Sequence, residues 1–230
     1  VFGHAGYTVS DNGKLIYLPG YDMGATLSSG QLTWVNRLGN STASEGSYGS
    51  FAHMRLSPNE DVIAFTRFDD GAASDIFVWD LDRNTLGRRT FDGQASRPLW
   101  SPDGSQIFYS HTTEGIRVVA ANGTEQPTTI FSSPNSNVTP TSMSPDGKII
   151  FDFGSPRAVY MMDLLSGVSS EQQAIELDLA PQIPDFHHST ISHDGNWIAY
   201  SSAETGSPEI YVRPFPDISR GKWQASTTGG

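Results

Sequence analysis

The sequence has no cysteine. Disulfides, thiolate nucleophiles and zinc–thiolate centres are excluded, while the compartment stays open. Positive charge is scarce: 14 Lys and Arg stand against 25 Asp and Glu, a formal net charge of −11. Nucleic acid and anionic membrane surfaces both attract a positive field, so neither is expected as the main partner. No apolar run reaches the length of a membrane helix, so this segment is not expected to insert in a bilayer. Helical periodicity is missing too. Only 166–179 offers a candidate, and its apolar residues are too sparse for an amphipathic stripe. There is no glycine-rich nucleotide loop followed by Lys and no His-Arg-Asp loop, which removes a protein kinase.

What is present is a repeat. Leu99-Trp100 runs into Ser101-Pro102-Asp103-Gly104, and Gln106-Ile107-Phe108-Tyr109 runs out of it. Pro presets the first turn position, Asp bonds the backbone ahead, and Gly takes a positive φ. The phrase returns at Ser10-Asp11-Asn12-Gly13, Ser57-Pro58-Asn59-Glu60, Ser144-Pro145-Asp146-Gly147 and Ser192-His193-Asp194-Gly195. The landmark serines are spaced by 47, 44, 43 and 48 residues. Short strands repeating in the forties predict propeller blades.

Taken in order, the β-branched and aromatic runs supply four strands per repeat. In the second repeat these are 51–56, 62–66, 75–81 and 86–91. The first repeat has only a weak outer strand, at 41–45. A lone four-stranded sheet leaves both faces bare, so each needs a neighbour. The expected fold is therefore all-β, a β-propeller of four-stranded antiparallel blades in one domain over 1–230. The blades fall at about 1–46, 47–92, 93–133, 134–180 and 181–230. Five blades either close the ring or form most of a six-bladed one. The ending Thr228-Gly229-Gly230 reads as the lead-in to a further inner strand. The chain opens on Val1 rather than Met, which fits removal of an export signal or an upstream domain.

The repeats resemble the TolB-like or PD40 family of bacterial propeller repeats, relatives of WD40. The resemblance is carried by Leu99-Trp100-Ser101-Pro102-Asp103-Gly104 with Ile107-Phe108-Tyr109-Ser110, and by Ile76-Phe77-Val78-Trp79-Asp80-Leu81. The tail Glu209-Ile210-Tyr211-Val212-Arg213-Pro214-Phe215-Pro216, then Gly221-Lys222-Trp223-Gln224, is similar to propeller regions attached to bacterial serine/threonine kinases. The resemblance implies a platform for binding or sensing partners and a periplasmic or other extracytoplasmic location. Glu60 departs from the pattern by replacing Gly.

The turn aspartates Asp11, Asp103, Asp146 and Asp194 sit on separate hairpins, and turn formation is their expected role. The histidines form a pattern. His53 and His188 lie four residues before their landmark serines, His187 five before and His4 six before, and Arg97 shares the position of His53 and His188. Inner strands line a propeller channel. His4, His53, Arg97, His187 and His188 are thus the candidate binding residues at one channel mouth, with His53 and His188 as candidate metal ligands. His187 and His188 alternate across a strand and cannot both face the same way. Arg55 and Arg97 have forked donors suited to a carboxylate or phosphate. The five tryptophans, Trp34, Trp79, Trp100, Trp197 and Trp223, read as core between blades. No nucleophile elbow is present, since Gly46-Ser47-Tyr48-Gly49 is out of frame.

These features favour a non-catalytic scaffold presenting loops and a channel mouth to a protein, peptide or glycan. Loops 20–30, 69–74, 132–137 and 181–186 would supply much of the surface. No cofactor is expected on that reading. The rival is a metal-dependent lyase or hydrolase acting on a polysaccharide or ester, with a divalent metal at the channel mouth. It leans on oligogalacturonate lyases, which resemble this repeat family, and only the histidine type carries over. An incomplete ring would expose sheet faces and favour a homodimer.

Overall fold

A computed structural model describes residues 7–9, 15–17, 29–68, 73–133, 138–154, 157–165, 174–179 and 189–229. Almost all regular structure in it is strand; the exception among the described residues is a short 3-10 turn at Ile218–Arg220. The sheets are antiparallel and follow the repeat. β1 (Tyr7–Val9), β2 (Leu15–Tyr17) and β3 (Ser29–Val35) begin the first blade. β4 (Ser41–Leu56) is one unbroken strand of 16 residues. Its first half pairs with β3 and its second half with β5 (Val62–Phe68). The weak outer strand expected at 41–45 is thus continuous with the next inner strand. β6 (Ser74–Asp80) and β7 (Thr85–Arg88) complete the second blade.

The third blade holds β8 (Ala95–Trp100), β9 (Gln106–His111), β10 (Gly115–Ala120) and β11 (Thr128–Phe131). The fourth holds β12 (Thr139–Met143), β13 (Lys148–Phe153), β14 (Ala158–Asp163) and β15 (Ile175–Leu177). The fifth holds β16 (Ser189–Ile191), β17 (Trp197–Ser202), β18 (Glu209–Pro214) and β19 (Trp223–Gln224). The fold class is that of β-propeller blades, as the repeat predicts. The chain divides into two compact units: Val1–His111 with Val118–Thr128, and Thr112–Arg117 with Thr129–Gly230.

In the first unit the period of two sends alternate β5 side chains to opposite neighbours. Ile63 and Phe65 pack with Phe77, Trp79 and Met54 against Ile16 and Leu32 of the first blade. Ala64, with Ile76 and Val78, packs against Ala95, Trp100, Ile107, Tyr109 and Val119 of the third. The second blade is therefore buried on both faces. Burying each large apolar side chain contributes about 1.5–3 kcal/mol. In the second unit Ile150, Val159, Leu177 and Leu179 pack against Ile191, Ile198, Tyr200, Tyr211 and Phe215.

The tryptophans divide. Trp79 and Trp100 are buried, as expected of core between blades, and Trp34 packs partly buried against the first cluster. Trp197 and Trp223 do not join the core: they are 42% and 51% exposed, with their rings edge to face at 5.6 Å. Hydrophobic side chains on a strand reveal a face, and only a neighbour turns that face into core.

One clasp recurs at the blade edge. The buried Asp75 carboxylate accepts from Thr90 Oγ1 at 2.7 Å and from Gly93 N at 3.3 Å. Ile76 N donates to the same Thr90 hydroxyl at 2.9 Å. In the fifth blade Glu209 accepts from Ser226 Oγ and from Gly229 N, and Ile210 N donates to Ser226 Oγ at 2.8 Å. A carboxylate, a hydroxyl and a glycine thus fasten the end of a blade twice over.

Candidate binding site

Three of the inner strands share an irregularity. The register slips between Ala52 and Arg55, between Ser96 and Leu99, and between Pro140 and Ser142. Each slip is a β-bulge four or so residues before the landmark serine. Bulges aim side chains away from the regular ladder. At the first two, His53 and Arg97 hold φ of +52° and +57°. Left-handed backbone costs an L residue about 1–2 kcal/mol, and His is among those that tolerate it best. The two residues were aligned from the sequence by position; the structure adds that they share a conformation.

Thr66, on β5 and buried, joins them. Its Oγ1 accepts from Arg97 N at 2.9 Å and lies 3.3 Å from His53 Nδ1. A second tie links the same strands: Trp100 Nε1 donates to the Arg55 carbonyl at 2.9 Å. The first unit therefore places His53 and Arg97 next to one another, held through one hydroxyl. Sequence reading missed Thr66. Its signal was a polar residue inside an otherwise apolar strand, Val62-Ile63-Ala64-Phe65-Thr66.

Inner strands elsewhere are tied by hydroxyls at one repeat position. Thr8 Oγ1 accepts from Leu56 N at 3.3 Å. Ser142 Oγ accepts from Ile191 N at 3.0 Å, and Thr141 Oγ1 lies 3.0 Å from Ser189 Oγ. Both Thr8 and Ser142 stand two residues before a landmark serine. Arg55 holds that place in the second blade. There its carbonyl, rather than its side chain, makes the tie.

His4, His187 and His188 lie outside the described residues, as do most of the loops expected to form the surface. The metal reading needs His53 together with His188, and His188 lies outside the described residues. Among the described residues, no three of His, Cys, Asp and Glu gather at one point.

The described turn aspartates serve their turns. Asp103 accepts from Ser101 Oγ at 2.6 Å and from Ser105 N at 3.0 Å. Hydrogen bonds from Ser101 and Ser105 lower its pKa to about 2. Asp194 is likewise lowered to about 2, by Ser192 and then Asn196. Hydrogen bonds from Lys148 and then from Ser144 Oγ lower the Asp146 carboxyl. Asp11 lies outside the described residues.

No family model matches the sequence, and no curated protein matches it either. Solved structures do match the fold. TolB from Acinetobacter baumannii is similar at 21% identity and a TM-score of 0.67, over 86% of this chain and 49% of that one. A putative TolB from Agrobacterium tumefaciens is similar at 16% identity and a TM-score of 0.64, over 82% and 66%. An oligogalacturonate lyase in complex with manganese gives 14% identity and a TM-score of 0.62, over 98% and 66%. These likenesses define a β-propeller protein. TolB proteins stand among its structural neighbours, and so does an enzyme. The chain spans about half the length of the first TolB structure and 66% of the second. No helix among the described residues is long and apolar enough to cross a membrane.

Proposed function

We propose that the chain is a non-catalytic scaffold whose inner strands and loops bind or sense a partner, a protein or peptide before a glycan. One observation carries this reading. Two residues with bulky polar side chains, His53 and Arg97, occupy left-handed backbone at repeat-equivalent bulges, and Thr66 Oγ1 accepts from the Arg97 backbone N and lies beside His53 Nδ1. Glycine would adopt that backbone without strain. A fold that keeps His and Arg there retains side chains at a conformational cost, which marks them as wanted for contact. Resemblance to TolB-like repeats supports the same reading and carries with it the periplasmic or other extracytoplasmic location. The acidic balance suits a partner with basic patches around its contact residues.

The test is a double variant, His53→Gly with Arg97→Gly, compared with the parent chain against a displayed random-peptide library and a glycan array. Both substitutions suit the local backbone, so the thermal midpoint is expected to hold or rise. The parent is expected to enrich a peptide family that the variant loses. Equal enrichment by both chains, or enrichment of glycans alone, would overturn the reading.

A further inference from the structure

We propose that Arg55 is the anchor for a carboxylate of a peptide partner. The proposal deepens the scaffold reading and rests on it.

Arg83 pairs with Asp80 at 2.7 Å, and Arg88 pairs with the buried Asp75. Arg117 meets Glu114 at 3.3 Å. Arg213 donates to the Tyr200 hydroxyl and to the carbonyls of Leu179 and Ile218. Arg89 donates to the Ala121 carbonyl at 2.5 Å. Arg55 differs. The hydrogen bond its guanidinium makes is a long one, 3.3 Å from Nη1 to the neighbouring Met54 carbonyl, and among the described residues no carboxylate pairs with it.

Its surroundings make that unusual. The side chain is accessible to solvent, yet enough protein surrounds it that burial lowers the guanidinium pKa, with the Tyr7 phenol acting weakly the other way. A guanidinium remains charged under such conditions. With no carboxylate paired to it among the described residues, its fork is open to an anion from outside.

At the equivalent places Thr8 and Ser142 use short hydroxyls to tie the next inner strand. In the second blade the tie is Trp100 to the Arg55 carbonyl, which leaves the long side chain no part in it. Arg55 stands two residues from His53 on β4, and β8, which carries Arg97, is bound to β4 at Arg55 itself. The anchor therefore belongs to the same strand pair as the candidate site.

Charge selects the ligand. A single planar fork matches the two oxygens of one carboxylate. A net charge of −11 opposes a dianion more strongly than a monoanion, which favours carboxylate over phosphate. The carboxylate can be a C-terminus or an Asp or Glu side chain.

The experiment is titration of the whole chain, followed by calorimetry and by the arginine Nε–H resonances. The probes are N-acetyl-triglycine, its C-terminal amide, N-acetyl-Gly-Glu-Gly-amide and inorganic phosphate. At least one carboxylate probe is expected to bind and to shift the Arg55 resonance, while the triglycine amide does not. The probe that binds tells a terminal carboxylate from a side-chain one. Arg55→Gln is expected to weaken binding by about tenfold or more, and Arg55→Lys by less, because it keeps charge and loses the fork. Both variants retain the carbonyl that Trp100 uses, so the thermal midpoint is expected to stay put; should the Gln variant misfold, the Lys variant and the resonance shift still decide. The idea is lost if the amide binds as well as the acid, if phosphate alone binds, or if no probe moves the Arg55 resonance. Should the peptide library enrich a family whose capture survives Arg55→Gln, the anchor fails and the scaffold stands.

Discussion

The second and fifth blades are built on one register and meet different fates. Ala64 pairs with Val78 in the second, and Ala199 pairs with Val212 in the fifth. One face is alike in both. Ile63 and Phe65 are buried against the preceding blade, and so are Ile198 and Tyr200. The other face differs. In the second blade it lies under Ala95, Trp100 and Tyr109, whereas in the fifth Trp197 and Trp223 remain about half exposed. The repeat prescribes which residues share a face; a neighbouring sheet decides whether that face contributes to stability.

The largest test of this contrast is a pair of truncations. Phe65→Ala is expected to cost about 3–5 kcal/mol in urea unfolding, because it opens a cavity between two blades. Trp197→Ala is expected to cost less than about 1 kcal/mol while changing tryptophan fluorescence, since its ring already meets water. Equal costs would mean that the fifth blade's outer face is covered in solution.

The turns give a smaller contrast of opposite sign. Glu60 holds φ of +62°, where the fifth blade has Gly195 at +72°. Glu60→Gly is expected to stabilise by about 1 kcal/mol by relieving left-handed strain. Gly195→Ala is expected to destabilise, because the new Cβ would stand 3.0 Å from Pro145 Cδ at a positive φ. The thermal midpoints of the two variants should move in opposite directions.

The finest contrast is pH dependence. The fifth blade closes its turn with Asp194, and the second has Asn59 there, with Asp61 accepting from Ser57 Oγ at 2.8 Å. Asp194 has its pKa lowered from 3.8 to about 2. A depressed carboxyl stabilises the fold above its unfolded pKa and loses that contribution as pH falls through the folded one. Asp194→Asn is therefore expected to flatten the fall in thermal midpoint between about pH 4 and pH 2. An unchanged slope would show that the turn bond is not what lowers the carboxyl.

Much of this was legible beforehand, for identifiable reasons. Ser101-Pro102-Asp103-Gly104 announces its hairpin because each residue has a separate backbone role, and the structure shows each in place. The alignment of His53 with Arg97 was legible because repeat spacing transfers position. Thr66 was not, because a single hydroxyl in an apolar strand gives no sign of which strand it will reach. Arg55 was noticed for its chemistry, but which described groups reach its guanidinium depends on what surrounds it. The continuity of β4 was hidden because 41–45 read as the weak outer strand of one repeat and 51–56 as the separate inner strand of the next.

By itself the sequence determined the period, the turns and the side of each strand on which a residue falls. Those follow from local backbone preferences and from the alternation of Cβ atoms, which need no distant partner. Tertiary structure alone decided which faces became core, how Thr66 gathers His53 and Arg97, and that Arg55 meets no carboxylate among the described residues. Burial and charge pairing are properties of neighbours far apart in the chain, and spacing along one strand does not specify them.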